Sequence, residues 1–352
     1  MWIYWILFLW PALMAIGYRS TVIRPKTKFT LVAFTIILTL IIGLRFEVGV
    51  DWEQYVRILY SSRNLDFQDV IKQGDIGYGL LNWLAAAAGV GIWFVNLGAA
   101  VAFATGFSAF CLKMPNPWLA MTVGMPYMAI VMAMNYTRQG AAFGLALIAI
   151  LALQENRTRR FFLFIIAAAL FHKTAVILLP LVVINTYRQR WWSILGIALF
   201  SVLAFFIFLF EWQEGLYAEY ILGGYESGGA WARVLMNAAA AAAFLLFRRK
   251  FHLQVTTQKF WVWISIITIL FIPAMALSPS STAIDRVALY FMPIQLFVFS
   301  SIPNVLSIYR LRNQATIFVI AGYAVVLYVW FVFGTFSYAW LPYKLYPFGA
   351  EM

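Results

Sequence analysis

Residues 161–184 read FFLFIIAAALFHKTAVILLPLVVI. A stretch of this length crosses a bilayer once if it stays an uninterrupted helix, but His172 and Lys173 stand at its midpoint and Pro180 follows. A charge at the bilayer centre costs about 2.5–3.5 kcal/mol on insertion scales. A single span would also invert everything downstream, putting Arg248, Arg249, Lys250, Arg310 and Arg312 outside and Glu211, Glu214, Glu219 and Glu226 inside. Cytoplasmic loops carry the excess of Lys and Arg, so the charge bias favours two short legs meeting at an external apex, Phe171-His172-Lys173.

The rest of the chain follows from that choice. Apolar runs near 2–18, 29–44, 93–112, 117–134, 139–153, 191–210, 234–247, 260–277, 286–303 and 315–334 are expected to span. The Gly-rich 76–92 keeps sidedness consistent only if it begins and ends outside, as a re-entrant or interfacial helix. The expected fold class is all-α: one polytopic transmembrane domain over 1–352 with about twelve crossings and both termini outside. External loops 45–76 and 211–233 form the periplasmic face, the second acidic, then Gly-rich, and expected to act as a lid.

With this threading, sixteen of the 25 Lys and Arg, from Arg19 to Arg312, fall on one face, with Glu155 the only acid beside them; the other twelve of the thirteen acids fall opposite. A composition of 64% hydrophobic and 11% charged residues excludes a soluble globule. The net charge of +12 sits in short loops, where it anchors helices against anionic lipid rather than reading as nucleic-acid binding. Cys111 is the only cysteine, which excludes an intrachain disulfide and a Cys-based metal site. Trp2 to Tyr18 has its basic residues after it, at Arg19 and Arg24, the inverse of a signal peptide, so a retained first helix is expected.

Isolated polar residues gather on the external face: Arg45, Asp51, Asp75, Arg138, His172, Lys173, Asp285 and Arg286. Arg138 is the only charged residue from Pro117 to Leu153. It either snorkels and caps a helix or clamps an anion, since intramembrane ionisable groups line sites and pathways. Arg45 and Arg286 sit at span ends and offer the same planar fork for phosphate oxygens; a helix-end anchor is the alternative for each, and Asp285 could pair with its neighbour Arg286. His172 at an exposed apex is a candidate general base, with Asp51 the other. Asp51-Trp52-Glu53 is a weak carboxylate pair for a metal, and no metal or cofactor is expected. No HExxH, P-loop or GxGxxG occurs.

Six short motifs recur in order along residues 40–345. Gly43-Leu44-Arg45-Phe46-Glu47-Val48-Gly49-Val50-Asp51-Trp52-Glu53-Gln54-Tyr55 resembles the G-x-R-x-x-x-G-x-D-x-x-x-Y signature of the EpsG family, Wzy-type polymerases of bacterial surface polysaccharides. The match continues through Asp75-Ile76-Gly77-Tyr78, Arg138-Gln139, Phe171-His172-Lys173-Thr174-Ala175, Arg286-Val287-Ala288-Leu289-Tyr290 and Pro342-Tyr343, with Asp75 where Glu is common.

The resemblance implies a glycosyltransferase-C-like enzyme of the bacterial inner membrane that joins polyprenyl-diphosphate-linked oligosaccharide repeat units at its outer face. The expected catalytic residues are His172, Asp51, Arg138 and Arg286; the expected substrate-binding residues are Arg45, Asp75, Tyr55, Lys173, Asp285, Tyr290 and Tyr343. Expected partners are the lipid-linked donor and acceptor, membrane lipid, chain-length regulators and export proteins, and no nucleic acid. A flippase of the same lipids also needs arginines, but alternating access requires a midplane site reachable from both sides. A lipid-linked glycan ligase shares the chemistry, whereas an acyl-CoA enzyme would face the cytoplasm.

Overall fold

The computed structural model describes residues 1–18, 25–72, 74–182, 228–278, 280–306 and 309–348. The expected span 191–210 and residues 211–227 of the expected lid lie outside them. Helices are numbered through the described residues: α1 (Trp2–Gly17), α2 (Pro25–Gly43), α3 (Trp52–Ser62), α4 (Phe67–Lys72), α5 (Ile76–Ala87), α6 (Ile92–Leu112), α7 (Pro117–Asn135) and α8 (Thr137–Gln154). After α9 (Thr158–Phe171) come α10 (Ala230–Phe247), α11 (Val255–Leu277), α12 (Ser281–Ala288), α13 (Pro293–Val305) and α14 (Tyr309–Phe333).

Seven of these helices are long and apolar enough to cross a membrane, or eight if the bent pair α12–α13 counts as one span, among the described residues. The all-α polytopic membrane class follows. α1, at 16 residues, falls short of that length. The expected single span 286–303 is instead bent by 45° at Met292-Pro293, where proline has no N–H to continue the helical ladder.

Burial ranks the helices. The span of α7 is 94% buried, while those of α2 and α14 are 28% buried. A helix apolar all round belongs in the interior; α2 and α14 leave Phe29, Phe318 and Phe333 outward, a surface suited to lipid rather than water. α6 and α8 meet at glycines, where a Cβ on Gly106 would lie 1.8 Å from the Gly144 carbonyl oxygen and one on Gly144 2.3 Å from that of Ala102. Small residues let the backbones approach, as membrane helix pairs require.

Long-range bonds define the two ends of the bundle. At one end Tyr4 Oη donates to the Trp340 carbonyl (2.8 Å), Trp340 Nε1 to that of Ile130 (2.9 Å) and Tyr343 Oη to that of Ile41 (2.7 Å). A two-stranded antiparallel sheet joins β1 (Arg45–Phe46) to β2 (Lys344–Leu345), with Arg45 opposite Leu345. The start of α1 and the C-terminal segment therefore share an end with Arg45. At the other end Asn116 Nδ2 donates to the Ala15 carbonyl, and Lys113 pairs with Glu155 at 2.8 Å, so the lone acid among the basic clusters is neutralised there.

The decisive segment is broken where its charges stand. α9 stops at Phe171, His172 is extended (φ −158°, ψ 114°) and a 3-10 turn follows over Lys173–Leu178. The remainder of the second leg, 183–184, lies outside the described residues. α5 is only 12 residues long. Asp75 before it bonds Arg138, and Trp93 after it stacks on Tyr346 at 5.7 Å, so the chain enters and leaves this segment at the same end of the bundle.

Candidate functional site

The signature loop is built around Gly49. Its φ of +100° suits glycine, and a Cβ there would fall 2.8 Å from the Met134 carbonyl oxygen. This turn brings Asp51 onto the end of α7, where the Asp51 amide donates to Asn135 Oδ1 (3.1 Å) and Asn135 Nδ2 reaches Asp51 Oδ2 (3.5 Å). Pro126 cannot supply a ladder donor, and α7 widens to a π-helix over Met125–Met132 before Asn135, a distortion frequent at functional sites.

Arg138 opens α8. Its Nη1 donates to Asp75 Oδ2 at 2.7 Å, with 32% of the arginine side chain and 11% of the aspartate exposed. The Lys173 amide donates to Asp75 Oδ1 (3.3 Å), and His172 Nδ1 stands 3.8 Å from Asp75 Oδ2, close enough for charge but too far for a hydrogen bond. Asp75 thus links the first external loop, α8 and the apex. Tyr55 is buried beside Arg138 and edge-on to Tyr78.

The ionisable groups tune one another. Burial raises the Asp51 carboxyl above its ordinary value, with Arg286 and Arg138 opposing. Burial pushes Asp75 up as well, but His172, Arg138 and the Lys173 amide outweigh it and hold the carboxyl below its ordinary value. Burial, helped by Arg138 and Arg286, lowers His172 against the pull of Asp75, so the imidazole is neutral at pH 7. The four residues expected to be catalytic therefore form one electrostatic cluster, and Asp75 and Lys173 join it.

Arg286, on the last turn of α12, faces a cavity of about 700 Å³ with Asp51, Asn135 and Arg233. Much of the lining is apolar, with Val123, Val131, Met236, Met292 and Val326, and the buried Gln295 and Tyr323 line it too. Val325, Val329 and Phe333 of α14 line the cavity while keeping 59%, 45% and 73% of their surface exposed. One wall of the cavity is therefore also part of the outer, lipid-compatible surface.

Other expected residues have internal duties. Arg45 is 1% exposed and donates to the Ile42 carbonyl (2.6 Å), Asn96 Oδ1 (3.3 Å) and Thr137 Oγ1 (2.7 Å). Burial lowers its guanidinium to about 10, still charged at neutral pH. This geometry matches the helix-end anchor and not an external clamp. Asp285 is 3% exposed and pairs not with its neighbour but with Arg233, whose Nε and Nη2 donate to its two oxygens at 2.7 and 2.5 Å. Tyr290 is buried and its hydroxyl accepts from Thr174 Oγ1 (3.2 Å); Tyr343 bonds Ile41. Among the described residues no three His, Cys, Asp or Glu side chains converge as a metal site.

Sequence reasoning missed Arg233, Asn135 and Gln139. Arg233 had the same signal as Arg138, as the only charged residue within an apolar helix; Gln139 stood inside a recognised motif. Asn135 had no local signature.

Neither a curated protein nor a solved structure matches the chain. A family model does, the EpsG family, over residues 28–345. That span takes in every motif from Gly43 to Tyr343 and the whole cluster around Asp51, Asp75, Arg138, His172 and Arg286, and the chain belongs to the EpsG family.

Proposed function

We propose that the chain polymerises polyprenyl-diphosphate-linked oligosaccharide repeat units at the outer face of the bacterial inner membrane. Membership in the EpsG family supports a membrane protein of polysaccharide biosynthesis. The observation that carries the finer reading is the amphipathic cavity, lined both by Asp51, Asn135, Arg233 and Arg286 and by apolar side chains. A lipid-linked glycan has the same division between polar head and chain, and the exposed wall at α14 would admit it from the bilayer.

The reaction needs one bond made and one broken. An acceptor hydroxyl oxygen attacks the anomeric carbon of the donor, the bond from that carbon to the diphosphate oxygen breaks, and the carrier diphosphate leaves with the electron pair. The diphosphate is a good leaving group, so the protein's task is to offset developing negative charge, which Arg286 and Arg138 would do from fixed positions. The acceptor proton must go to a base, a step worth about 10²–10⁴ in rate. Asp51 lines the cavity, and its raised carboxyl pKa makes it a better base than an ordinary aspartate. His172, neutral and held behind Asp75, is the other acceptor of that proton. Asp75 would orient Arg138 and His172, and Tyr55 would pack against the clamp.

Purified protein incubated with synthetic carrier-linked repeat unit, without nucleotide or added metal, should yield a ladder of products spaced by one repeat. Intact substrate after prolonged incubation with folded protein would reject this function.

A further inference from the structure

We propose that Arg233, through its buried pair with Asp285, is a positioning residue that holds Arg286 in the wall of the cavity. The proposal rests on the reading of Arg286 as a stabiliser of the leaving diphosphate.

Arg233 lies on the first turn of α10 and is 8% exposed. Besides its two bonds to Asp285, its Nη1 donates to the Gly228 carbonyl (3.2 Å) and its guanidinium stacks over the Tyr127 ring at 4.9 Å. The fork is thus held on three sides, by α12, by the turn entering α10 and by the π-helical part of α7. Arg233 and Asp285 cancel in charge, so the pair contributes chiefly geometry to the cavity.

That geometry is needed because α12 has only eight residues and a 3-10 turn and a bend after it. A helix so short does not hold its own conformation without tertiary contacts. Asp285 precedes Arg286, so a bidentate grip on its carboxylate fixes the peptide unit that carries Arg286, and two parallel bonds transmit orientation where one would allow a swivel. A second contact comes from Gln139, whose Nε2 donates to the Arg286 carbonyl at 3.0 Å. Gln139 follows Arg138, so the two arginines of the clamp are set relative to each other through this bond while Arg233 braces α12 through Asp285.

Two measurements test the assignment. Cys111 is the only cysteine and is buried, so Arg286→Cys supplies a single accessible thiol. Its modification rate by a maleimide is compared with and without Arg233→Lys, which keeps the charge and loses the fork; Ser61→Cys, at an exposed position of α3, serves as control. The expected result is a change of about tenfold at position 286 and none at position 61. For turnover, Arg233→Lys should lose about 10- to 100-fold, the cost of small misplacement, and less than about twofold in an Arg286→Ala background, because the effect passes through Arg286. Asp285→Asn should repeat both patterns. Unchanged modification at 286, or equal losses in both backgrounds, overturns the proposal. If the wild type gives no product, the functional reading fails on its own, and the thiol rates still decide whether Arg233 positions residue 286.

Discussion

Arg138→Lys separates a clamp from an anchor. In the structure one guanidinium nitrogen is committed to Asp75 at 2.7 Å, and 32% of the side chain remains exposed. A lysine can keep the ion pair but not the planar fork. Because the pair is partly exposed, a replacement that preserves charge should cost stability about 1 kcal/mol or less. Arg138→Met, by contrast, would strand the nearly buried Asp75 carboxylate, at about 3 kcal/mol or more. Loss of one preorganised donor to a developing anion costs about 10²–10³ in turnover. The kinetic effect of Arg138→Lys should therefore exceed its structural effect by roughly 2 kcal/mol or more. Ladder-forming rate and thermal midpoint, measured on the same detergent-purified sample, give both numbers. Arg138→Lys within about threefold of wild-type turnover at an unchanged midpoint would refute the clamp and leave Arg138 as the partner of Asp75.

Asp51 and Asp75 should respond to pH with opposite signs. A raised folded pKa means that Asp51 favours the fold below its unfolded value, near 3.9, and loses that contribution as pH rises through the folded value, so Asp51→Asn should raise the thermal midpoint at pH 7 while lowering activity. Asp75 has a lowered folded pKa, so its stabilisation is present above about pH 3.9 and disappears as pH falls through the folded value; Asp75→Asn should flatten that acid limb of a stability profile. If His172 takes the acceptor proton, the activity limb should lie below the ordinary histidine value of 6.5 and vanish in His172→Gln; survival of that limb in His172→Gln would assign the base to Asp51. Gly144→Ala should destabilise the protein by about 1–3 kcal/mol or block its accumulation, because its Cβ would meet the Ala102 carbonyl at 2.3 Å; a normal melting temperature would contradict the close packing. Accessibility tags near Arg157, Arg249 and Arg312 should report the cytoplasm, and tags near Arg63, Glu219 and the C-terminus the periplasm; a cytoplasmic C-terminus would mean that 161–184 or 76–92 crosses once.

What was legible in the sequence is what depends on local pattern. Apolar runs placed the helices, and His172-Lys173 marked a break that the structure puts at His172; Asp51 was singled out as a candidate base, but the turn at Gly49 that brings it to the end of α7 was not foreseen. The bend at Pro293 was legible too, but the expected span 286–303, read from its largely apolar composition, ran straight through it. Pairings across the fold left no trace in the order of residues. An arginine at a span end looks the same whether it faces solvent, as one-third of Arg138 does, or is sealed among Ile42, Asn96 and Thr137, as Arg45 is. Asp285 has a cation beside it in sequence, and only the packing of α10 on α12 reveals that it grips Arg233 instead.

The central claim is glycosyl transfer with a lipid diphosphate as leaving group, and its most direct measurement is the ratio of carrier diphosphate released to glycosidic linkages formed. Purified protein in liposomes, supplied with carrier-linked repeat unit and neither nucleotide nor metal, should release one carrier diphosphate for each linkage, and Arg286→Ala should depress both together. Repeat units carried intact across the bilayer with no diphosphate released would contradict the account.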